Sequence, residues 1–140
     1  MKAIYFTIEE LVDRDTFGTY GEKAWDFLHP LAIGAIDGIR EFFDTPVIVN
    51  TWHRGGVFQY RGYRPSHCPV GLETSYHRRG MAFDFDVTGI DSGMARAAIL
   101  NNKTNPLLWK VQRLEAGVNW VHMDIGAIPD FASRIYLFRA

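Results

Sequence analysis

The sequence predicts an α+β domain, with helices packed on one side of a small, largely antiparallel sheet. Three observations carry that prediction. Apolar residues recur at helical spacing between Leu28 and Phe43. Alternating, hairpin-like segments follow from Val47 onward. The 140 residues, 47% apolar and 22% charged, suit a single domain, 1–140, with one core.

The elements follow in order. Thr7 and Glu10 read as a capping box opening a short helix through about Asp13. A longer helix is expected from Glu22 to Phe43, with Leu28, Ala32, Ile36, Ile39 and Phe43 on its buried face. Pro30 kinks or splits it, and Asp44-Thr45-Pro46 stops it. Val47 to Val49 is a buried strand. His53 to Thr74, rich in Gly, Pro, Arg and Tyr, has neither periodicity and reads as a long functional loop. Met81 to Val87 alternates as a strand, and Asp91 caps a helix through about Leu100. Trp109 to Glu115 and Val118 to Ile125 read as a hairpin around Ala116-Gly117, and Ile135 to Phe138 as a last strand.

A net charge of −1 gives no global reason to bind nucleic acid or an anionic membrane, so any functional charge is local. The single cysteine, Cys68, excludes an intramolecular disulfide and a zinc site built on several thiolates; it reads as a small semi-buried loop residue. The amino terminus turns acidic before any apolar stretch of signal-peptide length, and no window approaches the ~20 apolar residues of a membrane span. The product is therefore expected in the cytoplasm of the cell that makes it.

Asp84 poses the chemical question. It lies in a strand amid Met81, Phe83, Phe85 and Val87, where an ionised carboxylate needs a compensating cation or hydrogen bonds. Asp86 shares its face about 7 Å along the strand, so something positive should sit there. Downstream, alternation puts Trp120, His122 and Asp124 on one face and Val121, Met123 and Ile125 on the core side. With His77, these residues supply two imidazoles and one carboxylate. Such a set of three leaves the fourth position of zinc open, as catalytic rather than structural zinc sites do.

The string Ser75-x-His77-x-x-Gly80-x-Ala82-x-Asp84, with Trp120-x-His122 downstream, resembles the zinc D-alanyl-D-alanine carboxypeptidases and their phage-endolysin relatives. That group shares its core fold with the amino-terminal signalling domain of hedgehog proteins. Arg61-Gly62-Tyr63-Arg64-Pro65 resembles the family's Gly-Tyr-Arg segment, and the likeness spans roughly Val47 to Ile125. It implies one zinc ion on His77, Asp84 and His122, with Ser75 and Arg64 contacting substrate. The implied substrate is the stem peptide of peptidoglycan, cut by a monomeric carboxypeptidase or endopeptidase that needs neither nucleic acid nor membrane. Without a signal peptide, such an enzyme suits a phage or prophage lysis protein released to the wall.

One part departs from the family pattern. Many relatives carry a Glu or Asp general base three residues before the last histidine, where this chain has Asn119. Glu115 is the nearest acidic residue upstream, and Asp124 is the other candidate. A tight Ala116-Gly117 turn would hold Glu115 ~13 Å from the position opposite His122, so its use requires a wider loop. If neither acts, the domain is a zinc-stabilised binding module. Among the remaining residues, His29 reads as structural, His53 and His67 as surface imidazoles, and Arg78 and Arg79 as a solvated turn. The bland reading of Arg64 is a loop arginine paired with Glu73.

Overall fold

Short helical segments, each begun by a capping side chain, build the amino-terminal third of the computed structural model, which describes residues 1–140. Thr7 donates its N–H to the Glu10 carboxylate at 2.7 Å, and the capping box opens a 3₁₀ turn over Ile8–Glu10. Asp13 does not end this segment as expected. Its carboxylate accepts from the Thr16 N–H at 3.1 Å and caps a further helix, α1 (Arg14–Tyr20), which the sequence pattern did not reveal. The single helix expected from Glu22 is two elements: a 3₁₀ stretch over Gly21–Phe27 and α2 (Pro30–Phe43). Pro30 sits at the start of α2, where its missing N–H costs nothing. His29 is structural there, its Nδ1 accepting from the Leu31 N–H at 3.1 Å.

The sheet contains β1 (Val47–Ile48), β2 (Ala82–Val87), β3 (Arg113–Glu115), β4 (Val121–Asp124) and β5 (Tyr136–Phe138), in the spatial order β1-β2-β4-β3-β5. It is mixed, because β5 runs parallel to β3 while the other pairs are antiparallel. Asp91 caps α3 (Ser92–Asn101) by accepting from the Gly93 and Met94 N–H groups. Trp109, expected at the start of a strand, instead follows a 3₁₀ turn over Pro106–Leu108 and is exposed. The expected two-residue turn at Ala116-Gly117 is replaced by a connection spanning residues 116–120.

Alternation divides the sheet into two chemically different faces. Phe83 and Phe85 of β2, Val121 and Met123 of β4, and Leu114 of β3 join Ile33, Ile36 and Ile39 of α2 and Ile99 of α3 in one core of 25 buried residues. The other face carries Asp84, Asp86, Arg113, His122 and Asp124. Asp84, His122 and Asp124 on it are buried, and the loop of residues 49–81 runs beside it, its Arg64 and Arg61 bonded to Asp84 and Asp86. That loop is held by backbone pairing: Tyr63 N–H to Leu11 O at 2.9 Å and Asp84 N–H to Arg61 O at 2.7 Å. Arg78 is part of the fastening rather than a solvated turn. Its guanidinium donates to the carbonyls of Pro65, Ser66, Cys68 and Leu72 at 2.8 to 3.0 Å. No helix is long and apolar enough to cross a membrane.

Candidate metal centre

Three elements deliver three donor atoms to one point. In the β2–β4 ladder Asp84 lies directly opposite His122, so strand register alone brings these two together. His77 comes from a 3₁₀ turn over Tyr76–Arg79, begun by Ser75 Oγ accepting from the His77 N–H at 3.2 Å. Gly80 then turns the chain into β2 with φ +67°, and a Cβ there would lie 2.0 Å from Phe27 O. Only glycine meets both demands. His77 Nε2 lies 3.3 Å from both His122 Nδ1 and Asp84 Oδ1, and His122 Nδ1 lies 2.8 Å from Asp84 Oδ1. The three buried residues could together hold a metal ion.

A second ring of contacts decides which way the imidazoles face. His77 Nδ1 is 2.9 Å from Gly62 O, which can only accept, so Nδ1 carries the hydrogen and Nε2 presents a lone pair. Gly62 is wedged in place, since a Cβ there would lie 2.1 Å from Leu11 O. His122 Nε2 donates to Asp124 Oδ2 at 2.9 Å, which leaves Nδ1 toward Asp84. Arg113 grips Asp124 with two bonds, 2.8 and 2.9 Å, and the Gly126 N–H donates to Asp124 Oδ1 at 2.9 Å. The Arg113 guanidinium lies 4.1 Å from the Phe138 ring centre and 5.1 Å from that of Tyr76.

The local charges follow from these contacts. Burial opposes charge on Asp84, yet hydrogen bonds to His122 and His77 hold its carboxyl well below the usual range. Burial also opposes a proton on His122, but its bonds to Asp124 and Asp84 outweigh that and push it up to about 9. Burial lowers His77, so this imidazole stays neutral. Without an ion, His122 is an imidazolium with one N–H toward each of two carboxylates. Its Nδ1–H also faces His77 Nε2 at 3.3 Å, and only the edge between His77 Nε2 and Asp84 Oδ1 is left with no hydrogen along it.

The other expected site residues divide. Arg64 does not pair with Glu73; its Nη2 donates to Asp84 Oδ2 at 3.2 Å and its Nε to Tyr60 O at 2.8 Å. Arg61 pairs with Asp86 at 3.0 Å, so both carboxylates of β2 do meet a cation. Ser75 caps the His77 turn and lines a cleft of about 460 Å³ over the centre. Glu115 lines the same cleft. The register Arg113↔Asp124 and Leu114↔Met123 brings Glu115, the next residue of β3, to the His122 end of β4, nearer than a two-residue turn would. Asp124, the other candidate base, is fully buried with both oxygens bound, so it positions His122 and has no exposed atom for a substrate proton.

Sequence reasoning missed Arg113, Arg61 and the Gly62 carbonyl. His-x-Asp on one strand face was the available signal for Asp124 as the partner of His122. Arg113 had no comparable signal, because its partner lies on another strand. His53 and His67 are exposed, as expected. His67 lies 3.5 Å from Asp15, near Asp13, but the Asp13 carboxylate is committed to Thr16. Cys68 is buried in the loop beside Val70 O. No protein-family model, curated protein or solved structure matches the chain.

Proposed function

We propose that this chain is a zinc peptidase acting on bacterial cell-wall peptide, with a fold of the hedgehog and D-alanyl-D-alanine peptidase type. One observation carries the reading: the neutral His77 Nε2 lone pair lies 3.3 Å from both Asp84 Oδ1 and His122 Nδ1. With His122 protonated, its Nδ1–H serves Asp84 and faces His77, yet the His77 lone pair and the Asp84 carboxylate still meet with no hydrogen between them, a repulsion that a cation bound to all three groups would relieve. Tetrahedral ligands about 2.0–2.1 Å from zinc stand about 3.3–3.4 Å apart, which matches two of the three edges. The donor set of two imidazoles and one carboxylate, each imidazole braced through its other nitrogen, suits a zinc ion with an open fourth position.

Zinc bound there would acidify a water toward a pKa of about 7 and polarise a scissile carbonyl. The chain's own residues supply the remainder. Glu115, which lines the cleft over the ligands, would accept the proton of the attacking water and pass it to the leaving amine. Arg64, tied to Asp84 Oδ2, offers its guanidinium to charge developing on the carbonyl oxygen. Ser75 belongs to the same cleft as a substrate contact in addition to its capping bond. A phage or prophage lysis protein is the setting this chemistry suits.

The alternative is a zinc-stabilised module that binds without cleaving. Asn119 at the family's base position favours it. Glu115 in the same cleft as His77 and His122 weighs against it. Metal analysis of the purified protein, followed by release of new amino groups from purified peptidoglycan, tests both. Stoichiometric zinc with cleavage supports the peptidase, zinc without cleavage moves the chain to the binding module, and lack of zinc ends both.

A further inference from the structure

The ligand group is not at the bottom of a closed pocket. It borders two clefts, and Asp84 lines both. The cleft of about 460 Å³ holds His77, His122 and Glu115, and a second of about 570 Å³ runs past Arg61, Phe58 and Asn119. Each has the size of a complete small-ligand site, roughly 300–1,000 Å³. Arg64, Val70, Asp84 and Trp120 line both. Arg64 and Asp84, their side chains 11% and 9% exposed, stand between the two clefts, with one cleft on either side of the pair. Trp120 is fixed there by Arg96, whose Nη2 donates to the carbonyls of Val118 and Trp120 at 2.8 and 2.7 Å.

Two further features describe the occupant. Val57, Phe58, Val70 and Leu72 are large apolar residues left exposed, and each lines one or both clefts. Apolar surface collected along a groove marks a binding surface rather than scattered exposure. Each arginine of the clefts already has a carboxylate partner: Arg61 has Asp86 at 3.0 Å, Arg64 has Asp84 at 3.2 Å and Arg113 has Asp124 at 2.8 Å. A terminal carboxylate would have to share an arginine with one of these partners, and one docked beside Arg64 would leave a whole cleft empty. An internal stretch of peptide has no such charge to neutralise, and at ~3.3–3.6 Å per residue it can run through both clefts.

We propose that the substrate peptide lies through both clefts, crossing over Arg64 and Asp84, with neither terminus needed for recognition. Resting on the peptidase reading, this makes the chain an endopeptidase rather than a carboxypeptidase. The probes are the alternating L/D stem pentapeptide with free termini and the same peptide acetylated at its amino end and amidated at its carboxyl end. Zinc-loaded protein is expected to cleave both with kcat/KM within about threefold of each other. Calorimetry on zinc-loaded Glu115→Gln protein measures binding apart from turnover. Adding Phe58→Asp, at an exposed position that is not one of the ligands, should weaken binding of the blocked peptide about tenfold with zinc content unchanged. Cleavage of the free peptide alone, with the blocked one neither bound nor cut, overturns the inference and leaves the peptidase standing. Binding of the blocked peptide without cleavage of either overturns the peptidase and keeps the crossing path. Absence of binding and cleavage with both peptides, or binding indifferent to Phe58→Asp, overturns the two-cleft path.

Discussion

Asp124→Asn tests the buried support of the centre with one atom's change. In the native protein Asp124 Oδ1 accepts from Arg113 Nε at 2.8 Å and from the Gly126 N–H at 2.9 Å. Its Oδ2 accepts from Arg113 Nη2 and His122 Nε2, both at 2.9 Å. Four donors thus meet two acceptors, and an amide cannot serve them in either orientation. With its oxygen kept toward Gly126, the new NH2 faces Arg113 Nη2 and His122 Nε2. His122 must then move its hydrogen to Nδ1, the nitrogen needed for the metal. Loss of such a supporting contact typically lowers metal affinity roughly 10–100-fold, about 1.4–2.7 kcal/mol. The half-unpaired Arg113 adds an expected stability loss of about 1–3 kcal/mol. Competitive titration with a chelator reads the first effect and thermal melts with and without zinc read the second. Asp86→Asn, half-exposed on the same face, is the control and should change zinc affinity little. Native zinc affinity in Asp124→Asn would refute the tautomer argument.

His77→Ala, Asp84→Ala and His122→Ala should each abolish zinc retention, read by metal analysis; normal occupancy in any one removes that residue from the ligand set. Glu115→Gln should keep zinc bound while turnover of a stem peptide falls roughly 10²–10⁴-fold, the usual contribution of a positioned proton acceptor. Zinc must displace the proton that His122 holds up to about pH 9, so apparent affinity should rise about tenfold per pH unit between pH 6 and 8. A flat profile would show that no proton is released. The same proton stabilises the metal-free fold, because the His122 value is raised from 6.5 to about 9. That contribution is complete below about 6.5 and is lost as pH rises through about 9. Thermal melts of metal-free protein should therefore fall across this window, and melts of the zinc-loaded protein should not.

Local patterning carried much of the fold. The capping box at Thr7, the cap at Asp91, the proline break at Pro30 and the alternation of β2 and β4 are interactions over a few residues, written in residue type and spacing. The candidate ligands were legible for a related reason. A carboxylate in an apolar strand has to be compensated, and His122 alternates onto the polar face with Asp124. Asp13 was misread because a carboxylate after one turn of helix can end that turn or cap the next, and only the Thr16 contact distinguishes them. The width of the β3–β4 connection decided the position of Glu115, and neither residue at its centre, Ala116 or Gly117, signals a longer loop. Residue types and their spacing determined by themselves that this is an α+β chain with two imidazoles and a carboxylate available to one site. Tertiary structure alone decided which imidazole nitrogen faces inward, what braces Asp124, and that a long loop fastens beside the polar face. These depend on Gly62 O, Arg113 and residues 49–81 meeting atoms far away in sequence. Contacts at such separation are fixed by packing and register, which leave no period in the chain to read.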